Sequence, residues 1–327
     1  MGLRIARIVL GLCAAALMSG PVLAQGKVWR HGIIEPKSDA GILFAASKRD
    51  FAEKLGLKLE FVPLKTDTIG LKAALAGELD SFEGGPGGTI VATARGADVK
   101  VIGCQWIVVP HGVFARQEIS SLADLKGKSL AVSAPGSFPE LVARAAFEKA
   151  GIPTDEVKFA SMGSDTDRYK ALVAGVVAGA IVSNEYIPVA AKDGVKELVP
   201  GSEAVPDFVR VCISATGKTL ASRRDDAAKF LVAEMEGLGY AMSHRDETIK
   251  LTHEISGQKP DDPRAAFVFD DAVKKKAVAP ELPLPMNKLD FVQKTLVSVG
   301  SMPAAINLAK ATDGSVREKA LSLLPAH

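Results

Sequence analysis

From residue 27 onward, short apolar, β-branched runs alternate with longer segments whose apolar residues recur three and four apart. Such alternation predicts strands and helices in turn, hence an α/β fold with largely parallel sheets. Lys27–Ile34 reads as the first strand. A polar loop, Glu35 to Asp39, leads into a helix from about Ala40 to Leu55, whose face carries Ala40, Phe44, Phe51 and Leu55 and which Gly56 stops. Leu57–Pro63 is a strand, 69–76 a helix ended by Gly77, and 79–82 a third strand. Gly84-Gly85-Pro86-Gly87-Gly88 opens a helix to Ala94, and Val99–Val109 is a fourth strand.

The pattern then restarts. Strands are predicted over 129–134, 157–160, 178–183 and 208–214. Between them, Ser137-Phe138-Pro139-Glu140 reads as a capping box starting a helix to Ala150, and 167–174 as another helix. Beyond residue 214 all is helical: 223–243 capped by Ser222, then 247–255, 263–276, 288–299 and 316–323. One internal echo links the halves. Lys72-Ala73-Ala74-Leu75-Ala76-Gly77 is matched by Lys170-Ala171-Leu172-Val173-Ala174-Gly175, each ending a helix at glycine before a short strand, as two lobes of similar βαβ construction would.

The amino terminus sets the compartment. Arg4 and Arg7 precede an apolar run, Ile8 to Met18, that Gly20 and Pro21 break, and Val22-Leu23-Ala24 offers small-residue cleavage before Gln25. Residues 1–24 thus read as a secretory signal peptide cleaved after Ala24, with the mature chain in the periplasm. The run is too short for a membrane span, which needs about 20 apolar residues. The full sequence is 47% hydrophobic and 24% charged, enough to form a substantial core. A net charge of +2, with both signs mixed, leaves no nucleic-acid footprint. Cys104 and Cys212 are too few for a metal framework or disulfide scaffold, and two buried free thiols are expected, with pairing in an oxidising compartment as the alternative.

A series of short motifs then carries a resemblance. Phe51-Ala52-Glu53-Lys54-Leu55-Gly56-Leu57 is followed by Ala74-Leu75-Ala76-Gly77-Glu78-Leu79-Asp80, the glycine turn, Gly96-Ala97-Asp98-Val99-Lys100-Val101-Ile102, and a run from Ile119 through Ala123-Asp124-Leu125-Lys126-Gly127-Lys128. In this order they resemble the substrate-binding proteins of ABC transporters for nitrate, sulfonates, taurine and thiamine-precursor pyrimidines, over roughly residues 27–240. The resemblance implies a two-lobed type II periplasmic binding-protein fold, with lobe 1 from 25–112 plus 215–327 and lobe 2 from 113–214. It also implies that the fourth and last strands lie antiparallel side by side, which would make Cys104 and Cys212 neighbours. Its implied partners are a small-molecule solute, a membrane permease and a cytoplasmic ATPase; a monomer is expected.

Ligands of open α/β sheets bind beyond the carboxyl ends of the strands. That rule selects the loops 36–40, 65–68, 83–89, 134–138 and 183–186. In the glycine turn, Gly85 and Gly88 would let backbone approach a ligand, and Thr89 opens the following helix, whose free N–H groups attract anions. Ser38, Gly136 and Ser137 hold similar positions before helices. Trp106, Phe138 and Tyr186 could stack on a ligand, and Asn184 could read a polar group. Asp39, Glu83 and Glu185 are the acids near the expected cleft, and Lys65 is the one base. This balance favours a small organic anion or zwitterion of sulfonate or taurine type, with a pyrimidine-like heterocycle as the alternative.

Chemistry of other classes finds no purchase. The five histidines are scattered, His244 and His253 lie nine apart, and Ser133 and Ser137 have no evident base partner. No enzyme activity, cofactor or metal is expected. The glycine turn lacks the endings of a P-loop or dinucleotide fingerprint. A sensor lobe docking to a membrane kinase remains the other non-enzymatic reading.

Overall fold

The computed structural model describes residues 27–324, so the expected signal peptide lies outside the described residues. Ten strands form: β1 (Lys27–Ile34), β2 (Leu57–Leu64), β3 (Ser81–Gly84), β4 (Val99–Trp106), β5 (His111–Arg116), β6 (Ser129–Val132), β7 (Lys158–Ser161), β8 (Gly179–Ser183), β9 (Val195–Pro200) and β10 (Val211–Thr216). They build two five-stranded sheets of matching design, ordered β2-β1-β3-β10-β4 and β7-β6-β8-β5-β9. In each, the fourth strand alone runs antiparallel, and that strand has crossed over from the other sheet. The chain changes sheet at 107–110 and again at 201–210. The internal echo falls on equivalent elements: the helices Asp67–Ala76 and Asp165–Val173 join the first strand of each order to the third, and Gly77 and Gly175 follow them in the left-handed region.

Burial explains the first sheet. Alternation along β1 turns Trp29, His31 and Ile33 to one face, where the long helix Gly217–Ser243 covers them, and the Phe230 ring lies 5.6 Å from that of Trp29. Each fully buried side chain of this size contributes up to about 3 kcal/mol. The polar atoms of Trp29 and His31 find a shared partner: Trp29 Nε1 donates to Ser81 Oγ, and that oxygen lies 2.8 Å from His31 Nδ1. Burial pushes the His31 imidazole down to about 3. The outer edge of β4 is covered by the carboxyl-terminal region, with Val101 N–H donating to Ala311 O and Cys104 N–H to Pro283 O.

Several expectations are corrected. The helix expected from Ala40 to Leu55 is broken into Ala40–Leu43, Ala45–Lys48 and a short turn at Glu53–Leu55, with non-helical backbone at Phe44 (ψ 1°) and an extended Arg49 between them. The capping box is not closed. Ser137 Oγ turns back to accept from Ala134 N–H, and Glu140 accepts from Gly136 N–H instead. The helix expected from Arg223 begins earlier, at Gly217 under the Thr216 cap, and kinks at Arg223. The two thiols expected to be free are joined: Cys104 and Cys212 sit opposite each other in the β4–β10 register, their Cα atoms 3.8 Å apart, and form a buried disulfide.

Candidate ligand-binding cavity between the sheets

The carboxyl ends of five parallel strands, β1, β2, β3, β6 and β7, converge on one cavity of about 90 Å³. From the first sheet come Ile34–Lys37 after β1, Lys65–Asp67 after β2 and Glu83–Gly85 after β3. From the second come Ser133 and Phe138 after β6 and Ser164–Thr166 with Arg168 after β7. The antiparallel strands enter the other way round. Each presents its amino-terminal end to the cavity, so His111 opens β5 there and Arg210 directly precedes β10.

At the centre lies a buried ionic network. Asp165 is bonded by Lys37 from the first sheet and by Arg168 from its own helix, and His111 Nε2 stands 3.3 Å away. Burial alone would raise the Asp165 carboxyl, but the Lys37 ammonium and the Arg168 guanidinium outweigh it and hold the acid well below the usual range. Arg168 is spent on structure, since its remaining nitrogens donate to Ile181 O and Gly163 O. His111, desolvated, is pushed down to about 4 and is neutral at pH 7 despite the pull of Asp165. Arg210 pairs with Asp39 through Nη2, and its guanidinium carbon lies 4.4 Å from the Trp106 ring centroid. Its Nη1 and the Nδ1 of His111 are buried without a hydrogen-bond partner among the described residues. Burial raises Glu83 to about 7, partly opposed by Ile34 N–H, and raises Asp67 and Glu185 as well.

Contacts across the sheets close the cavity. Ser38 N–H and Oγ bond Glu185, and Gln258 Nε2 donates to the same hydroxyl at 2.8 Å. Asn184 Nδ2 donates to Asp271 at 2.7 Å, and Phe138 N–H to Asp67 at 3.3 Å. The glycine turn serves this closeness. A Cβ at Gly85 would sit 2.7 Å from Phe138 Cβ, and one at Gly87 2.7 Å from Leu141 Cδ1, both neighbours belonging to the helix Phe138–Lys149 of the second sheet.

Of the residues singled out from sequence, Lys65, Glu83, Gly85 and Phe138 line the cavity. Asp39, Trp106, Asn184 and Glu185 gather around a much smaller neighbouring void of about 10 Å³, and Ser38 is buried against Glu185. Thr89 bonds Ser214 and Ser137 bonds Ala134, both away from the cavity. Gly88 and Gly136 line an outer groove, and Tyr186 stacks on Tyr169 at a separate surface. Lys65 is not the one base: Lys37, Arg168 and Arg210 also line the cavity. Asp165 was within reach of sequence reasoning. The echo extends upstream, Thr66-Asp67-Thr68 matching Ser164-Asp165-Thr166, with Thr66 and Ser164 capping equivalent helices.

Paired mixed sheets, two crossings and a buried polar cavity where the strands end define the fold of periplasmic solute-binding proteins of ABC importers. The chain belongs to the NMT1/THI5-like family, whose model matches residues 37–248. A protein of Brucella abortus (strain 2308), named "Putative binding protein", is 25% identical over 229 residues, 68% of this chain and 69% of its own. The alkanesulfonate-binding protein SsuA from Xanthomonas axonopodis pv. citri, solved bound to MOPS, matches with a TM-score of 0.73 at 18% identity, covering 89% of this chain and 99% of its own. The periplasmic nitrate-binding protein NrtA from Synechocystis PCC 6803 matches with a TM-score of 0.74 at 12% identity, covering 91% and 89%. At those identities the two structures speak for the fold.

Proposed function

We propose that the chain is the extracytoplasmic solute-binding component of an ABC importer, and that it captures a small organic anion or zwitterion of sulfonate type between its sheets. The observation that carries this is Arg210: a guanidinium lining the cavity, 5% exposed, with one nitrogen unpartnered. A buried donor on a cation is costly to leave unmet, and an acidic group is its natural complement. The surroundings point the same way. Lys37, Arg168 and Arg210 face two carboxylates held ionised, Asp165 and Asp39, while burial drives Glu83 and Glu185 towards neutrality. The heterocycle alternative has less support, since among the described residues Phe138 is the one Phe, Tyr or Trp on the cavity wall.

In this reading the chain is exported to the periplasm, its signal removed after Ala24, and works as a monomer. The lobes 25–112 plus 215–327 and 113–214 close on the solute, and the closed form docks on a permease driven by a cytoplasmic ATPase. Calorimetric titration with alkanesulfonates, nitrate and aminopyrimidines tests it. An acid from this panel should bind, and Arg210→Gln should weaken it at least about tenfold. No heat from any member, or full affinity in the variant, would overturn the assignment.

A further inference from the structure

His111 and Arg210 hold equivalent places in the two sheets, each at the cavity end of the one antiparallel strand. Both line the same cavity, both are buried, and each has one side-chain nitrogen without a partner among the described residues. Their chemistry is opposite. Arg210 Nη1 can only donate. His111 faces a carboxylate that its two cations keep ionised, and an ionised carboxylate only accepts, so a neutral His111 must donate to Asp165 from Nε2. That fixes the tautomer and leaves Nδ1 as a lone-pair acceptor.

Resting on the reading of this cavity as the solute site, we propose that the solute carries an uncharged hydroxyl or amide donor beside its acidic group. The donor is received by His111 Nδ1 and the acid by Arg210. A plain oxyanion offers acceptors alone and would leave Nδ1 unmet in a closed cavity, whereas a site built around a hydrogen bond discriminates strongly against the analogue lacking it. An ammonium donor is the poorer fit. Lys37 and Arg210 both oppose positive charge at His111, and the nearby ionised carboxylates, Asp165 and Asp39, are already paired with cations. The chemical class is therefore a hydroxylated or amide-bearing organic acid.

Matched ligands test this on the wild-type protein by calorimetry: isethionate, taurine and ethanesulfonate as one set, lactate and propionate as another. In whichever set binds, the hydroxyl member should be at least about tenfold tighter than its alkyl analogue, with taurine no better than ethanesulfonate. In His111→Phe the hydroxyl preference should fall to within about twofold while the acid still binds. Equal affinities within the sets, or a preference that survives His111→Phe, would overturn the proposal while leaving an anion-binding protein. Failure of every acid to bind would instead remove the solute-binding reading on which it rests. The wild-type sets decide the matter even where the variant does not fold.

Discussion

Alanine at Gly85 isolates the closure of the two sheets from their separate stability. Gly85 has φ −63° and ψ 133°, which alanine adopts without strain, so the backbone contributes no penalty. What changes is one methyl group. It would lie 2.7 Å from Phe138 Cβ and 3.2 Å from Phe138 Cγ, too close for contact. Phe138 has little room to yield, being packed against His111 and Phe208 and bonded through its N–H to Asp67. Overpacking of this kind costs about 1–3 kcal/mol. Because Phe138 stands on the opposite sheet, the cost falls on the closed arrangement, and affinity for the tightest-binding acid of the panel should drop about 5- to 150-fold. Calorimetry measures the loss. Small-angle scattering should show the variant failing to contract at ligand concentrations that contract the wild type, and melting of the ligand-free protein should move far less than affinity. Unchanged affinity together with unchanged contraction would refute the assignment of Gly85 to closure.

Three further outcomes follow from buried groups. Replacing Cys104 and Cys212 together by alanine should cost about 2–5 kcal/mol in denaturant unfolding, because the bond spans 108 residues; midpoints that coincide with and without the bond would contradict this. Glu83 is neutral in the fold up to about pH 7 but ionises near 4.5 once unfolded, so this one group should lower stability by about 3 kcal/mol as pH rises from 4.5 through 7 and add no further slope above that. Glu83→Gln should remove its share of the slope, the raised Asp67, Glu185 and Glu197 carboxyls keeping theirs, and unfolding at pH 5 and pH 8 that shows the same slope in both proteins would rule the cause out. Lys37→Met strips Asp165 of its partner from the other sheet but leaves Arg168 in place, and should destabilise the protein by about 1.5–3 kcal/mol at neutral pH, read by urea titration; a change below about 1 kcal/mol would mean the pair is solvated.

Most of the fold is legible in the chain because strands and helices carry opposite periodicities and glycines punctuate them. The exceptions have physical causes. β5 escapes notice because the apolar run of β4 continues through Val108 and Val109 to Pro110, so one long strand is read where the chain in fact changes sheet. β9 is a short, partly exposed edge strand, Val195–Pro200, whose Lys196 and Glu197 dilute its apolar signal. At the site, the rule that ligands meet carboxyl ends finds Lys65, Glu83 and Gly85 but is blind to His111 and Arg210, since both head antiparallel strands. The disulfide depends on register between strands far apart in sequence, which local pattern does not encode.

The place of β10, inserted between β3 and β4, has a consequence for how the molecule comes into being. Until residue 211 is available, β3 and β4 have no neighbour on their facing edges, and the core beneath the long helix Gly217–Ser243 cannot be sealed. An amino-terminal fragment ending at Pro110 is therefore expected to stay unstructured and prone to aggregation rather than fold as half a protein. Late completion of this kind suits the export proposed above, in which the chain is threaded across a membrane before it acquires shape.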